Sequence, residues 1–336
     1  MSFNVTIVIP FFNEFKKLHC LLKDLPSWTA IPSNIIIVNT GQDHLTLDQI
    51  IFSELDELNI QLKIIDSPSA FPGKARNIGF AHAKTNFIAC LDAQTRPNYD
   101  WLESGLNSIK HPDCDIVWGR TIFEASTFLE MIIKISTYGN LPLQTVPGSI
   151  FKSSILQRAG SFLEDVRAGE DGDWIKRVQA HQIKDDLNSA LISYSGLKGI
   201  TIIAIVRKWY RNYYSSAHLQ YIKSHIDIYF YFISFALIIL SFNWNALSYD
   251  PAIDGWNMNS AAYIPNITKI MTSIIFSFYV LLRTIILPIK KGSSKSFLLK
   301  PHYILGIFLV SMIIDFTKLY AFIRSRLNLL VKKLAR

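Results

Sequence analysis

Cysteine is scarce. Cys20, Cys90 and Cys114 are the only three in 336 residues. None forms a C-x-x-C pair, which argues against zinc ribbons, thioredoxin-type redox motifs and a disulfide framework. Reduced core thiols facing a reducing compartment are expected instead. A glycine-rich G-x-G-x-x-G turn is also missing after the first apolar run. Pro10-Phe11-Phe12-Asn13-Glu14 stands there, which argues against a nicotinamide dehydrogenase. No leader is legible, because Met1–Pro10 reads as a strand without a basic n-region or a long apolar h-region. Glutamate is absent from Arg207 onward, where 16 Lys and Arg face 4 Asp.

That imbalance explains the net charge of +8, because the residues before Arg207 carry 18 Lys and Arg against 22 Asp and Glu. The basic part is also the apolar part, and mean hydropathy over the chain is +0.23. Basic charge beside long apolar runs suits anionic lipid headgroups, and no nucleic-acid partner is expected.

Short β-branched runs open the chain. Asn4–Pro10, Asn34–Val38, Gln61–Ile65 and Asn86–Leu91 read as strands, and Asp115–Trp118 as a fifth. Glu14–Leu25, Lys74–Lys84, Ser154–Gly160 and Gly169–His181 read as helices. Alternation of the two predicts an α/β fold with a mostly parallel sheet covered on both faces. Ligands bind such sheets beyond the C-terminal strand ends. Asn13, Asn39 and Asp92 each follow a predicted strand, so they should converge on one cleft.

Further on, Ile228–Tyr249 is 22 residues without a charge, and Ile270–Ile289 is 20 residues whose only charge is Arg283. Each is long enough to span roughly 30 Å of hydrocarbon, with Arg283 near enough to one end to snorkel. Tyr303–Ile323 is interrupted by Asp315 and Lys318, which are three apart and could pair. Arg207-Lys208-Trp209-Tyr210-Arg211, with Tyr213 and Tyr214, reads as an interfacial anchor before the first span, or as a contact for a phosphate-bearing lipid acceptor. The loop Asn243–Thr268 has no Lys or Arg, whereas Lys290, Lys291, Lys295 and Lys300 follow the second span. The positive-inside rule then puts the N-terminal domain in the cytoplasm. A third crossing would send the basic tail outside, so Tyr303–Ile323 either crosses against the rule, lies in the interface or re-enters. The expected layout is a domain over residues 1–206, an aromatic-basic interfacial helix over 207–225, and a membrane region over 226–336. That region holds two or three transmembrane helices (about 228–249, 270–289 and 303–323) in a multi-pass protein of the cell (inner) membrane.

Six segments, in order, resemble the inverting family 2 glycosyltransferases with the GT-A fold, a Rossmann-like nucleotide-sugar domain. They are VTIVIPFFNE (Val5–Glu14), IIVNTG (Ile36–Gly41), GKARNIG (Gly73–Gly79), LDAQTRPNYDWL (Leu91–Leu102), PGSIF (Pro147–Phe151) and AGEDGDWIKR (Ala168–Arg177). The resemblance implies inverting transfer of a sugar from a nucleotide-sugar donor to a membrane-associated acceptor, a membrane lipid or lipid-linked saccharide among them. It implies Asp171 as general base with Glu170 beside it, and donor binding by Pro10, Asn13, Glu14, Asn39, Arg76 and Asp92. Asp92 takes the first acidic place of the family's D-x-D metal motif and Gln94 stands at the second, so Asp92 and Gln94 are the implied ligands of a divalent Mg²⁺ or Mn²⁺. Gln94 and Asn39 depart from the family's usual aspartates. Those departures keep open the alternative of a non-catalytic relative that binds sugar nucleotide or glycan.

Overall fold

The computed structural model describes residues 2–219 and 267–334. The first predicted span, 228–249, lies outside these residues.

Central strands come from the runs that are apolar on both faces. β1 (Ser2–Phe11) pairs in parallel with β2 (Ile31–Asn39) on one side and β4 (Phe87–Cys90) on the other, and β3 (Gln61–Asp66) extends the parallel set beyond β2. Val5, Ile7, Ile9 and Phe11 of β1 point to one face. There they meet α1 (Phe15–Lys23), α2 (Gln49–Glu57) and α4 (Trp101–Ile109). Val8 points to the other face, toward α3 (Pro72–His82), α6 (Ile155–Ala159) and α7 (Glu170–Ala180). These β1 side chains are at most 1% exposed. Burial of each contributes roughly 1.5–3 kcal/mol, which holds the strand at the centre and its C-terminal end at the surface where the cleft forms.

The α/β expectation holds, and its mostly parallel sheet is more mixed than the sequence indicates. β7 (Leu143–Lys152) runs antiparallel between β4 and β6 (Ile116–Phe123). β9 (Ile192–Tyr194), β5 (Thr95–Pro97) and β8 (Asp185–Leu187) complete nine strands in one sheet. Pro147-Gly148 hides β7 from a sequence reading because it looks like a break. The sheet absorbs it as a register shift between Val117 and Gly119 of β6. The predicted fifth strand is the start of β6 and runs five residues further, to Phe123.

A further group of helices packs round a separate core. α5 (Phe128–Thr137) begins at a capping box: the Thr127 hydroxyl accepts from the Glu130 N–H, and the Glu130 carboxylate accepts from the Thr127 N–H. α8 (Ile202–Ser216) carries the aromatic-basic cluster. α9 (Ile267–Leu281) continues through a π-helical turn (Leu282–Ile286) into α10 (Leu287–Lys290), and α11 (Pro301–Leu334) follows. Ser273–Lys290 and Pro301–Lys332 are long and apolar enough to cross a membrane.

Two expectations for this region and one for α1 need correction. Arg283 does not snorkel: its guanidinium pairs with Asp315 at 2.7 Å, both groups are 6% exposed, and Tyr279 donates to the same carboxylate at 2.9 Å. Asp315 and Lys318 do not pair with each other, because the Lys318 ammonium lies 4.4 Å from the Trp209 ring and 5.2 Å from that of Tyr213. Cys20 is exposed on α1, whereas Cys90 and Cys114 are buried as expected.

Candidate active site

Sequence-distant acids converge on one arginine. Arg76 sits in the second turn of α3, only 3% exposed. One of its terminal nitrogens donates to Glu170 Oε1 at 3.1 Å and to Asp171 Oδ1 at 2.7 Å; the other donates to Asp92 Oδ1 at 3.2 Å. Asp92 follows β4, and Glu170 and Asp171 open α7. Two glycines permit this approach. Gly169 caps α7 at φ 98°, a left-handed conformation that lets the chain turn into the helix with both acids facing the cleft. Gly73 lies where an added Cβ would come within 2.1 Å of the Leu163 carbonyl, so α3 can press against the loop leading to the acids.

Electrostatics sets the acids apart. Burial pushes the Asp171 carboxyl up to about 7, and Glu170 and Asp92 add to the rise while Arg76 opposes it. Burial also raises Glu170, again against the pull of Arg76. Asp171 nonetheless keeps 37% of its side chain exposed, whereas Glu170 keeps 7%. The more open of the two therefore combines access to a reacting group with a proton affinity suited to neutral pH. Titration in such a cluster belongs to the group of acids rather than to one member.

On the donor side, Asn13 adopts φ 53° just past β1. Pro10 is half-buried and Asn13 exposed. The Glu14 carboxylate accepts from the Gln94 amide nitrogen. Asn39 is 1% exposed and its polar atoms are already engaged. Its amide nitrogen donates to Asp66 Oδ1 at 2.7 Å and to the Asp43 carbonyl at 2.8 Å, while its carbonyl accepts from Gly41 N–H at 3.1 Å. Asn39 thus presents Asp66, which is 36% exposed and lowered in pKa by Asn39 and His44. A sequence reading misses Asp66, although its place at the end of a parallel strand is the available signal. Tyr194 is missed as well. Burial raises its hydroxyl, and Asp92 and Glu14 add to that rise.

The donor set fits a divalent cation of the kind that takes one or two carboxylates and completes its shell with phosphate oxygens and water. Asp92 is 34% exposed and offers its Oδ2 beside the oxygen held by Arg76. Gln94 turns its amide nitrogen to Glu14 and keeps its carbonyl as a second, neutral oxygen. Among the described residues no group of three or more His, Cys, Asp or Glu could form a protein-only cage.

Taken together, the mixed α/β sheet carries a clamped acid cluster at its parallel strand ends. Residues 6–154 match the family model described as Glycosyl transferase family 2. Similar curated proteins include the glycosyltransferase AglE of Haloferax volcanii, 25% identical over 188 residues. They also include the pre-mycofactocin glycosyltransferase of Mycobacterium tuberculosis, 27% identical over 195 residues. The matched stretch is 52% of this chain in both cases, but 60% of the first relative and 39% of the second. Among solved structures, TarS 1-349 of S. aureus in complex with UDP-GlcNAc aligns over 94% of this chain and 90% of that one, at 13% identity and a TM-score of 0.45.

Proposed function

We propose that this chain transfers a sugar, with inversion, from a nucleotide-sugar donor to a membrane-associated acceptor, a lipid-linked saccharide or another glycan. The observation that carries the reading is the Arg76 clamp. It gathers Asp92 from one motif and Glu170 and Asp171 from another, 16 and 94–95 positions away, into one cleft. A packing role alone gives no reason to crowd three carboxylates round one buried guanidinium.

In this reading Asp171 accepts the proton of the acceptor hydroxyl as that oxygen attacks the anomeric carbon. The bond from that carbon to the diphosphate breaks, and its electron pair leaves with the nucleotide. Glu170 and Arg76 hold Asp171 in place and set its proton affinity. Pro10, Asn13, Glu14 and Asp66 line the donor loop, with Asn39 orienting Asp66. Asp92, with the Gln94 carbonyl, would hold a Mg²⁺ or Mn²⁺ ion, which when bound neutralises the leaving diphosphate.

Residues 1–206 form the catalytic domain, 207–225 an interfacial segment and 226–336 a membrane region, with the domain cytoplasmic. The apolar α9 and its basic following loop support that orientation. α11 supports the interfacial alternative for Tyr303–Ile323. Its Ile307, Val310 and Ile314 are at most 6% exposed and pack in one cluster with Ile132 and Ile133 of α5 and Ile205 of α8. A helix covered by the catalytic domain along that face is not free to cross lipid.

Purified full-length protein, incubated with UDP-, GDP-, CMP- and dTDP-sugars with and without Mn²⁺, tests the function. Nucleotide release from one donor, lost in Asp171→Asn while the donor-induced thermal shift survives, is the expected result. Donor binding without release from any donor would instead establish a non-catalytic relative.

A further inference from the structure

α8, α11 and the loop leading to Glu170 enclose an open pocket of about 530 Å³. Its charged lining is mostly cationic. Arg167 comes from the loop, Arg211 and His218 from α8 and its end, and Lys332 from α11, against one lining carboxylate, Asp165. Arg211 is held below its ordinary range by burial and by the nearby Arg167 charge. No salt bridge engages either arginine among the described residues, although both lie within reach of solvent. Two guanidinium groups brought together without a carboxylate between them repel, and a bound anion relieves that repulsion.

The pocket adjoins the candidate site. The Arg167 N–H donates to Ser215 Oγ of α8 at 2.9 Å, and its guanidinium lies 5.9 Å from the Phe12 ring and 6.0 Å from the Phe71 ring. Phe12 precedes Asn13 and Glu14, and Arg167 is three residues before Glu170. The opposite wall belongs to α11, tied to α8 by hydrogen bonds from Arg324 to the Tyr210 hydroxyl (3.0 Å) and from Asn328 to the Tyr214 hydroxyl (2.9 Å). On that wall Leu329 lines the pocket and is 37% exposed. The pocket therefore offers cations at its catalytic end and apolar surface at its outer end.

We infer that this pocket binds a phosphate group carried on a lipid and so positions the acceptor for transfer. The inference rests on the transferase reading above and names its acceptor class. Guanidinium pairs favour phosphate oxygens, and the exposed Leu329 beside the cations, on a helix apolar enough to cross a membrane, favours a tail over a fully soluble ligand.

The test uses the full-length protein in phosphatidylcholine nanodiscs. Binding is measured for hexadecyl phosphate, for phosphatidylglycerol at the same mole fraction, and for inorganic phosphate in solution. Hexadecyl phosphate should bind saturably, and inorganic phosphate should compete weakly. The double variant Arg167→Gln/Arg211→Gln should bind the lipid phosphate about 100-fold more weakly, about tenfold for each lost charge-assisted contact. Asp165→Asn, which removes the opposing negative charge, should bind it more tightly, a gain that misfolding cannot imitate. Equal binding by wild type and both variants would overturn the inference. So would inorganic phosphate binding as tightly as hexadecyl phosphate, which would mark a soluble acceptor, or phosphatidylglycerol binding as tightly, which would mark only a charged surface. Donor hydrolysis by the wild type, measured without any lipid, separates the two readings. Its absence strikes the transferase assignment, whereas its presence with no lipid-phosphate binding strikes the pocket alone.

Discussion

Replacing Arg76 by methionine deletes the cation shared by Asp92, Glu170 and Asp171 while leaving a side chain of similar length. Removing one partner of a buried ion pair costs roughly 3–5 kcal/mol. Two of the three carboxylates here are 34% and 37% exposed, so water screens part of the loss, while Glu170 at 7% has no such relief. The lower end, about 3 kcal/mol, is therefore expected at neutral pH. For a domain of this size that lowers Tm by roughly 6–12 °C. The loss should depend on pH with a definite sign. Asp171 and Glu170 already have raised pKa values in the folded protein. The folded state thus holds these protons more tightly than the unfolded state does. The resulting stability is fully present below the ordinary carboxylate range and is lost as pH rises toward about 7. Without the guanidinium the pKa values rise further, so the variant should lie close to wild type near pH 5 and fall furthest behind near pH 8. Thermal unfolding of the full chain in one detergent across that range measures the gap. A gap that is absent, or the same size at both ends, would refute the clamp. Arg76→Lys keeps the charge but loses the fork, and should fall between the two.

Asp171→Asn should lower turnover by about 10²–10⁴-fold with donor affinity nearly unchanged, and the wild-type rate should rise with pH through the raised pKa of the acid cluster; wild-type turnover in the variant would remove Asp171 as the base. Gln94→Asp should tighten Mn²⁺ binding in the presence of donor, because a carboxylate replaces a neutral carbonyl, and a titration without gain would mean that Gln94 does not face the cation. Asp315→Leu should destabilise the α9–α11 pair by leaving Arg283 without its carboxylate, while Asp315→Leu combined with Arg283→Leu should recover much of the loss; a double variant as unstable as the single one would contradict the pairing. Cysteines placed at Ser294 and Asn328 should resist an impermeant reagent applied to intact cells while one near Tyr249 reacts, and labelling at Asn328 would establish a third crossing.

The sequence discloses the parts of this molecule where one local rule dominates. β1, β2 and β4 are legible because strands buried on both faces must be apolar throughout, and α3 and α7 because Pro72-Gly73 and Gly169 punctuate their starts. Asp92, Glu170 and Asp171 are legible as acids at element ends. Their common partner is not, because nothing in the order of residues says that Arg76 is buried among them. Asn39 shows the same limit. Its place after β2 suggests a ligand contact, but only the fold shows its amide spent on Asp66, Asp43 and Gly41. β7 is hidden by Pro147-Gly148, a pair that reads as a break although it sits in an irregularity of the strand itself. α5 could have been found, since Thr127-Phe128-Leu129-Glu130 before an apolar run is a capping-box signature.

The charges inside the apolar C-terminal helices carry the same lesson into the membrane region. Asp315 and Lys318 interrupt a hydrophobic stretch and look like obstacles to burial. In the fold each has a reason to be there. Asp315 joins α11 to α9 through Arg283 and Tyr279, and Lys318 joins it to α8 through the faces of Trp209 and Tyr213. Cation–aromatic contacts of this kind contribute about 0.5–2 kcal/mol each, and a buried ion pair fixes register more than it adds stability. Lys318 therefore sets where α11 lies along α8, and Asp315 where it lies along α9. That register in turn brings Lys332 and Leu329 opposite Arg211 and Arg167. A shift of one helical turn would move the wall of the pocket by about 5.4 Å, enough to separate its cations from its apolar edge. The geometry of the proposed acceptor pocket thus depends on interior charges that a hydropathy profile counts as interruptions.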